Sequence, residues 1–233
     1  KDLSNFKELF KENFGNQHFL ILGLNREENL NNQLKFYNSL ALINNSGNVL
    51  DIYDKKRLVP FGEFLPLENF LSNLGLKKIT YGYSPFSSGD IRNIINLGEK
   101  FNKKLILPLI CYEIIYSGEI KKKYQLPDLI VNISEDAWFG ESIGPQQHFT
   151  KAIYRSIEEG VFIARSANKG ISAFINPNGK VIKSLNTGES GNIELNFPHF
   201  YKSTLFSNYG NKIFYLIIFL YMFLILIFRK YKL

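Results

Sequence analysis

The sequence predicts a layered α/β domain followed by one membrane-spanning helix at its C-terminal end. Three observations carry that prediction. Short apolar runs alternate with helix-period segments along the body of the chain, as strands and helices do when they pack in layers. Turn residues separate adjacent strand-like runs, which puts hairpins into the sheet and argues against an all-parallel one. Ile213 to Phe228 reads IFYLIIFLYMFLILIF, an uncharged run of 16 residues.

The elements follow in order. Lys1–Phe14 has no apolar signal-peptide core and is predicted to be an amphipathic helix with Leu3, Phe6, Leu9 and Phe10 on one stripe. His18–Leu24 is a strand candidate. Phe36–Ile43 and Val49–Tyr53 flank Asn44-Asn45-Ser46-Gly47-Asn48, a hairpin signal. Residues 64–98 are apolar and aromatic without a regular period, including Phe70, Leu71, Leu74, Leu76 and Tyr81 to Phe86. A long loop of that kind is either a lid or a cover over the core. Leu105–Ile110 and Leu129–Ile133 are buried strands, and Phe149–Glu159 has helical spacing. Val161–Ala164 and Ile171–Ile175 are strands, and Asn176-Pro177-Asn178-Gly179 turns the chain into Val181-Ile182.

The apolar tail is about 24 Å long as a helix, slightly short of a hydrocarbon core of about 30 Å. Tyr209, Gly210 and Tyr231 extend it, and Lys212 and Arg229 flank it as snorkelling cations. Arg229, Lys230 and Lys232 place residues 230–233 in the cytoplasm by the positive-inside rule. The body then lies on the other face, which in a Gram-negative cell is the periplasm.

The chain has 233 residues, 45% hydrophobic and 15% aromatic, which excludes a disordered chain. Its formal net charge of +7 points to anionic partners. Its cations are scattered rather than striped and no base-stacking motif is seen, which favours lipid head groups over nucleic acid. A single cysteine excludes an internal disulfide, and His18, His148 and His199 with it offer no metal-ligand spacing.

Three clusters stand out chemically. In Leu105-Ile106-Leu107-Pro108-Leu109-Ile110-Cys111-Tyr112-Glu113 a buried strand runs into a cysteine and a helix-like segment follows. A nucleophile at such a turn is presented at the sheet edge beside backbone N–H groups. The second cluster is Tyr53-Asp54-Lys55-Lys56-Arg57, followed by the turn residues Pro60 and Gly62 and by Glu63. Taken alone, lysines at a strand end are ordinary solvated residues. The third runs from Asn132 through Glu135, Asp136, Trp138 and Phe139 to His148. Trp138 and Phe139 line an acyl pocket or simply pack, and His148 at a helix start suits a hydrogen-bonding role better than that of a catalytic base.

Together YDKKRLVPFGEFLP, ICYE and SEDAWFGESIGPQQHF resemble the signature blocks of the apolipoprotein N-acyltransferases, within the carbon–nitrogen hydrolase (nitrilase) superfamily. The resemblance runs from about residue 18 to the terminal helix. It implies a nitrilase-like α-β-β-α sandwich over residues 1–208, a membrane helix at 209–229 and a cytoplasmic tail at 230–233. It implies a Glu-Lys-Cys triad with Cys111 as nucleophile and Lys55, rather than Lys56, as the lysine. Glu63 matches a second required glutamate, and Tyr112 and Glu113 match positions beside the nucleophile.

The chain departs from the family twice. Glu135 stands where the family usually has Asn. The family's general-base glutamate, in a Pro-Glu context upstream of the first helix, has no match, and Glu8 and Glu12 do not replace it. The chain therefore reads as an N-terminally truncated copy, expected to be inactive by itself.

The implied reaction moves an acyl group from a phospholipid to Cys111, and from that thioester to the N-terminal amine of a diacylglyceryl-cysteine lipoprotein. A thiol of pKa about 8.5 needs a nearby cation or base to ionise at neutral pH, which Lys55 supplies. The implied partners are the phospholipid donor, the diacylated apolipoprotein and the bacterial inner membrane, with no cofactor and no metal. Two rivals are a soluble-type amidase acting on a small amide and a catalytically dead membrane-anchored binding domain.

Overall fold

Asn44 closes the expected hairpin through its own side chain. Its Oδ1 accepts from Ser46 N at 3.1 Å and Asn48 N at 2.9 Å, and Gly47 takes the left-handed φ of 73° that the turn requires. The computed structural model describes residues 2–30, 32–67, 70, 73, 75, 85–90, 94–118, 126–196 and 203–230. It opens with α1 (Asp2–Asn13), in which Phe10 is buried but Leu9 is exposed. Leu9 thus falls outside the predicted apolar stripe, and the side chains of Leu3 and Phe6 lie outside the described residues.

The strands β1 (Phe19–Leu30), β2 (Gln33–Asn44) and β3 (Val49–Asp54) form an antiparallel sheet in that order. β1 runs six residues past the predicted His18–Leu24. Asn25 to Leu30 carry no apolar alternation, but each pairs with β2, down to Leu30↔Gln33. Cross-strand pairing outweighs their weak strand propensity. The two-residue connection uses Asn32 at φ 63°, a value asparagine tolerates.

The second sheet has the order β4-β5-β6-β7-β8-β9. Its strands are β4 (Ile95–Asn96), β5 (Leu105–Ile110), β6 (Leu129–Glu135), β7 (Phe162–Asn168), β8 (Ser172–Ile175) and β9 (Val181–Leu185). β5, β6 and β7 are parallel and the outer pairings antiparallel, so the sheet is mixed as the hairpins require. β4 lies at the end of the segment predicted as irregular, because Ile95 is buried against Ile106.

Two cores follow from strand alternation. Leu40, Leu42 and Tyr53 of the first sheet meet Ile95, Ile106, Ile110 and Val131 of the second. On the far face of the second sheet, Leu107, Leu109, Ile130 and Ile163 pack with Ala152 of α2 (Gly144–Glu159). Each buried Leu or Ile contributes about 1.5–3 kcal/mol. This stack is the expected sandwich of paired sheets. α2 starts five residues before the predicted Phe149, with Pro145 in its first turn, where a missing N–H costs nothing. Gly144 is needed there, because a Cβ would come within 2.5 Å of the Phe139 ring.

After α3 (Leu205–Tyr209) comes α4 (Lys212–Lys230), 19 residues and about 28 Å long. Its window Lys212–Arg229 has a mean hydropathy of 2.2 and is 0% buried, so it is not a core helix; it is long and apolar enough to cross a membrane. Asn211 Nδ2, just before it, donates to Ser117 O at 3.4 Å.

Candidate active site

β5 delivers Cys111 to the C-terminal end of the parallel strands, where α/β sheets place their ligand crevices. The expected helix after it is a single 3-10 segment, Cys111–Ile115, which Gly118 at φ 72° soon follows. Cys111 itself has φ 51°. A left-handed value at a non-glycine residue costs about 1–3 kcal/mol and persists only where surrounding contacts impose it. No periodicity reveals such a turn. The thiol is half-buried and faces a cavity of about 1030 Å³.

β3 delivers Lys55 to the same cavity. Its side chain is 1% exposed, and its Nζ donates to Glu63 Oε2 at 2.8 Å. Lys56, the alternative on sequence, is exposed. Glu63 is held by two more donors, Asn38 Nδ2 on Oε1 and Val59 N on Oε2, each at 2.8 Å. Lys55 therefore keeps a counter-charge while its head lines the cavity. Its backbone is pinned as well. Lys55 N donates to Asn38 O at 2.8 Å, and Gly89 N donates to Lys55 O at 2.9 Å.

Glu113 joins the two strand ends. It is 0% exposed and is not part of the cavity wall. Its Oε1 accepts from Tyr53 Oη at 2.7 Å and from Lys56 N and Arg57 N, each at 3.1 Å. Its Oε2 accepts from Ile110 N at 2.9 Å. One carboxylate thus ties the residue after Lys55 to the residue before Cys111. On sequence Glu113 stands out only as a neighbour of Cys111; a Glu two places after Cys111 and a Tyr two places before Lys55 are the legible traces of this clamp.

The remaining sequence candidates divide. Tyr112 and Phe139 line the cavity half-buried, and Trp138 lines it at 70% exposed. Glu135, also on the wall, caps the next turn through Ala137 N at 3.1 Å and accepts from Asn168 Nδ2 at 2.6 Å. His148 is buried, with Nδ1 donating to Asp136 Oδ1 at 2.9 Å. Glu8 and Glu12 are exposed on α1. Of the irregular segment, Phe86 lines the cavity and Leu65 is buried, whereas Leu67 and Phe70 are exposed; Leu71, Leu74, Leu76 and Tyr81 to Ser84 lie outside the described residues.

Asp136, which the sequence places in the third cluster without a role, forms a buried ion pair at 2.6 Å with Arg165, which nothing in the sequence singles out. Burial pushes the Asp136 carboxyl up, but the hydrogen bond from His148, the Arg165 charge and Ser134 Oγ outweigh it, and the net shift is downward. Burial likewise lowers the Arg165 guanidinium, against the pull of Asp136. Among the described residues no group of His, Cys, Asp and Glu could hold a metal ion.

The sequence profile of the carbon–nitrogen hydrolase family matches residues 4–196. The chain belongs to the carbon–nitrogen hydrolase family. Its fold is similar to that of Saccharomyces cerevisiae Nit3, described as a member of branch 10 of the nitrilase superfamily, with TM-score 0.56 at 17% identity over 81% of this chain and 62% of that one. It is also similar to an amidase from Nesterenkonia sp., with TM-score 0.52 at 16% identity over 79% of this chain and 62% of that one. A variant of that amidase is described with an acetamide moiety covalently added at its active-site cysteine.

Curated relatives carry the name apolipoprotein N-acyltransferase. One from Bradyrhizobium diazoefficiens is 41% identical over 75% of this chain and 32% of its own length. One from Rickettsia prowazekii is 37% identical over 81% of this chain and 37% of its own length. The chain spans about a third of the length of the curated relatives it matches.

Proposed function

We propose that this carbon–nitrogen hydrolase domain performs the acyl-transfer chemistry of lipoprotein N-acylation, with Cys111 as the nucleophile. The observation that carries the reading is the Glu113 clamp, which holds the backbones of Lys55 and Cys111 at one cavity while Cys111 stays accessible. The Cys111 thiolate attacks the acyl ester carbon of a phospholipid, and the lyso-phospholipid leaves as an alcohol after taking a proton. The amine of a diacylated lipoprotein then attacks the thioester carbon, loses a proton, and releases the thiolate with formation of an amide. Lys55 donates to the oxyanion of both tetrahedral intermediates, a contribution of about 3–4 kcal/mol in comparable sites. Glu63 orients Lys55 through the 2.8 Å ion pair.

Lipid access supports this reading over hydrolysis of a small amide. The cavity has about 1030 Å³, Trp138 stands exposed on its wall, and an unburied apolar helix follows the domain. We assign the domain to the periplasmic face of the inner membrane and the residues after α4 to the cytoplasm. The test is acyl transfer from phosphatidylethanolamine to a diacylated lipopeptide by the full-length protein in vesicles. Triacylated product is expected, lost with Cys111→Ala and reduced about 100- to 1000-fold with Lys55→Ala. Release of ammonia from small amides without triacylated product would favour the amidase instead.

A further inference from the structure

Beneath the nucleophile lies a buried polar cluster that this acyl-transfer chemistry does not use. Asn132 of β6, Asp136, His148 of α2 and Arg165 of β7 are each 3% exposed or less. Arg165 donates to Asn132 Oδ1, to Asp136 Oδ2 at 2.6 Å and to Ile171 O at 3.2 Å. Asp136 Oδ1 also accepts from Ser134 Oγ at 2.6 Å. Gly170 leaves the room Asp136 needs, since a Cβ there would collide with its carboxylate. Well-packed apolar residues would fill such a space at no cost in desolvation, so stability alone does not explain the cluster.

Its outer end explains it. Asp136 fixes the His148 ring through Nδ1 at 2.9 Å, with Arg165 Nη2 beside that nitrogen at 3.2 Å, and so aims Nε2 at Cys111 O, 3.3 Å away, to which it donates when it carries a proton. Asn132 Nδ2 donates to Leu109 O at 3.1 Å and reaches Cys111 O at 3.5 Å. Both side chains therefore converge on the carbonyl of the residue held at φ 51°. We propose that His148 and Asn132 are positioning residues for Cys111. They fasten its carbonyl on the sheet side, which maintains the left-handed turn and keeps the thiol turned to the cavity. The inference rests on the reading of Cys111 as the nucleophile.

The test uses the rate of Cys111 alkylation by iodoacetamide in the full chain, together with its unfolding temperature. Two substitutions separate the two ends of the imidazole. His148→Gln places an amide N–H near the Nε2 position and can still bond Cys111 O. His148→Asn places one near Nδ1 and can bond only Asp136. Positioning predicts alkylation by His148→Gln within about twofold of the wild type and by His148→Asn about tenfold slower, the size of effect one net hydrogen bond carries. A purely structural role, through Asp136, would spare the Asn variant instead. Asn132→Asp, which keeps an acceptor for Arg165 and removes the donor, is expected to slow alkylation similarly. It decides the matter if neither His148 variant folds.

Folded His148→Asn and Asn132→Asp variants that label at the wild-type rate would overturn the inference. So would equal losses in the Gln and Asn variants. Labelling needs no acyl donor, so absence of acyl transfer leaves this test intact. A wild-type thiol that resists labelling would overturn the nucleophile reading and this inference together.

Discussion

Replacing Glu113 tests the clamp between the two strand ends. Its carboxylate accepts four hydrogen bonds at 2.7–3.1 Å from Tyr53, Lys56, Arg57 and Ile110, with no exposed surface to admit water in their place. Glu113→Gln keeps an acceptor for the three donors on Oε1 but sets an amide N–H against Ile110 N. One buried donor left unsatisfied costs about 1–3 kcal/mol. At about 2–4 °C per kcal/mol for a domain of this size, unfolding should fall by about 2–12 °C. Glu113→Ala strands all four donors. Even with generous non-additivity the cost should exceed about 4 kcal/mol, a large share of the 5–15 kcal/mol that holds a domain together. Thermal unfolding of the detergent-solubilised protein measures both. The Gln variant should also label Cys111 more slowly, because Ile110 anchors the Cys111 turn. An Ala variant within about 1 kcal/mol of wild type, or Gln as damaging as Ala, would refute the clamp.

Three further predictions follow from separate contacts. Gly89→Ala would drive a Cβ into Asp54 O, so the segment that caps the Lys55 carbonyl must move; a loss of about 1–3 kcal/mol in unfolding free energy and slower Cys111 alkylation are expected. The Asp136 carboxyl sits below its ordinary value in the folded chain, so its contribution is present above the unfolded pKa of about 3.9 and lost as pH falls below it. The gap in unfolding temperature between wild type and Asp136→Asn should accordingly be constant above about pH 5 and shrink towards pH 3. Trp138→Ala removes a side chain that is 70% exposed, so unfolding should shift by less than about 0.5 kcal/mol, while acyl transfer to a lipopeptide should fall.

Much of this architecture was legible because local chemistry and tertiary structure agree. β5 occupies the predicted Leu105–Ile110, since a short apolar run with no room for a helix suits a buried strand. The Asn44–Asn48 turn needed only its own side chain and one glycine. The polar half of β1 was not legible, because only its pairing with β2 makes it a strand. Lys55 and Glu63 looked like ordinary surface residues, and only resemblance singled them out; their burial and ion pair depend on the loop that brings Glu63 back over the end of β3. Asp136 and Arg165 lie 29 positions apart, and nothing local marks a partner at that distance. The positive φ of Cys111 is likewise imposed from outside, by the clamp on Ile110 on one side and the carbonyl contacts from His148 on the other.

The most direct test is the mass of the Cys111 peptide after the full-length protein meets phosphatidylethanolamine vesicles with no acceptor lipopeptide present. The account predicts the gain of one acyl chain on Cys111, removable by neutral hydroxylamine as a thioester and discharged on adding a diacylated lipopeptide. An unmodified Cys111 in a preparation that nonetheless produces triacylated lipopeptide would contradict it.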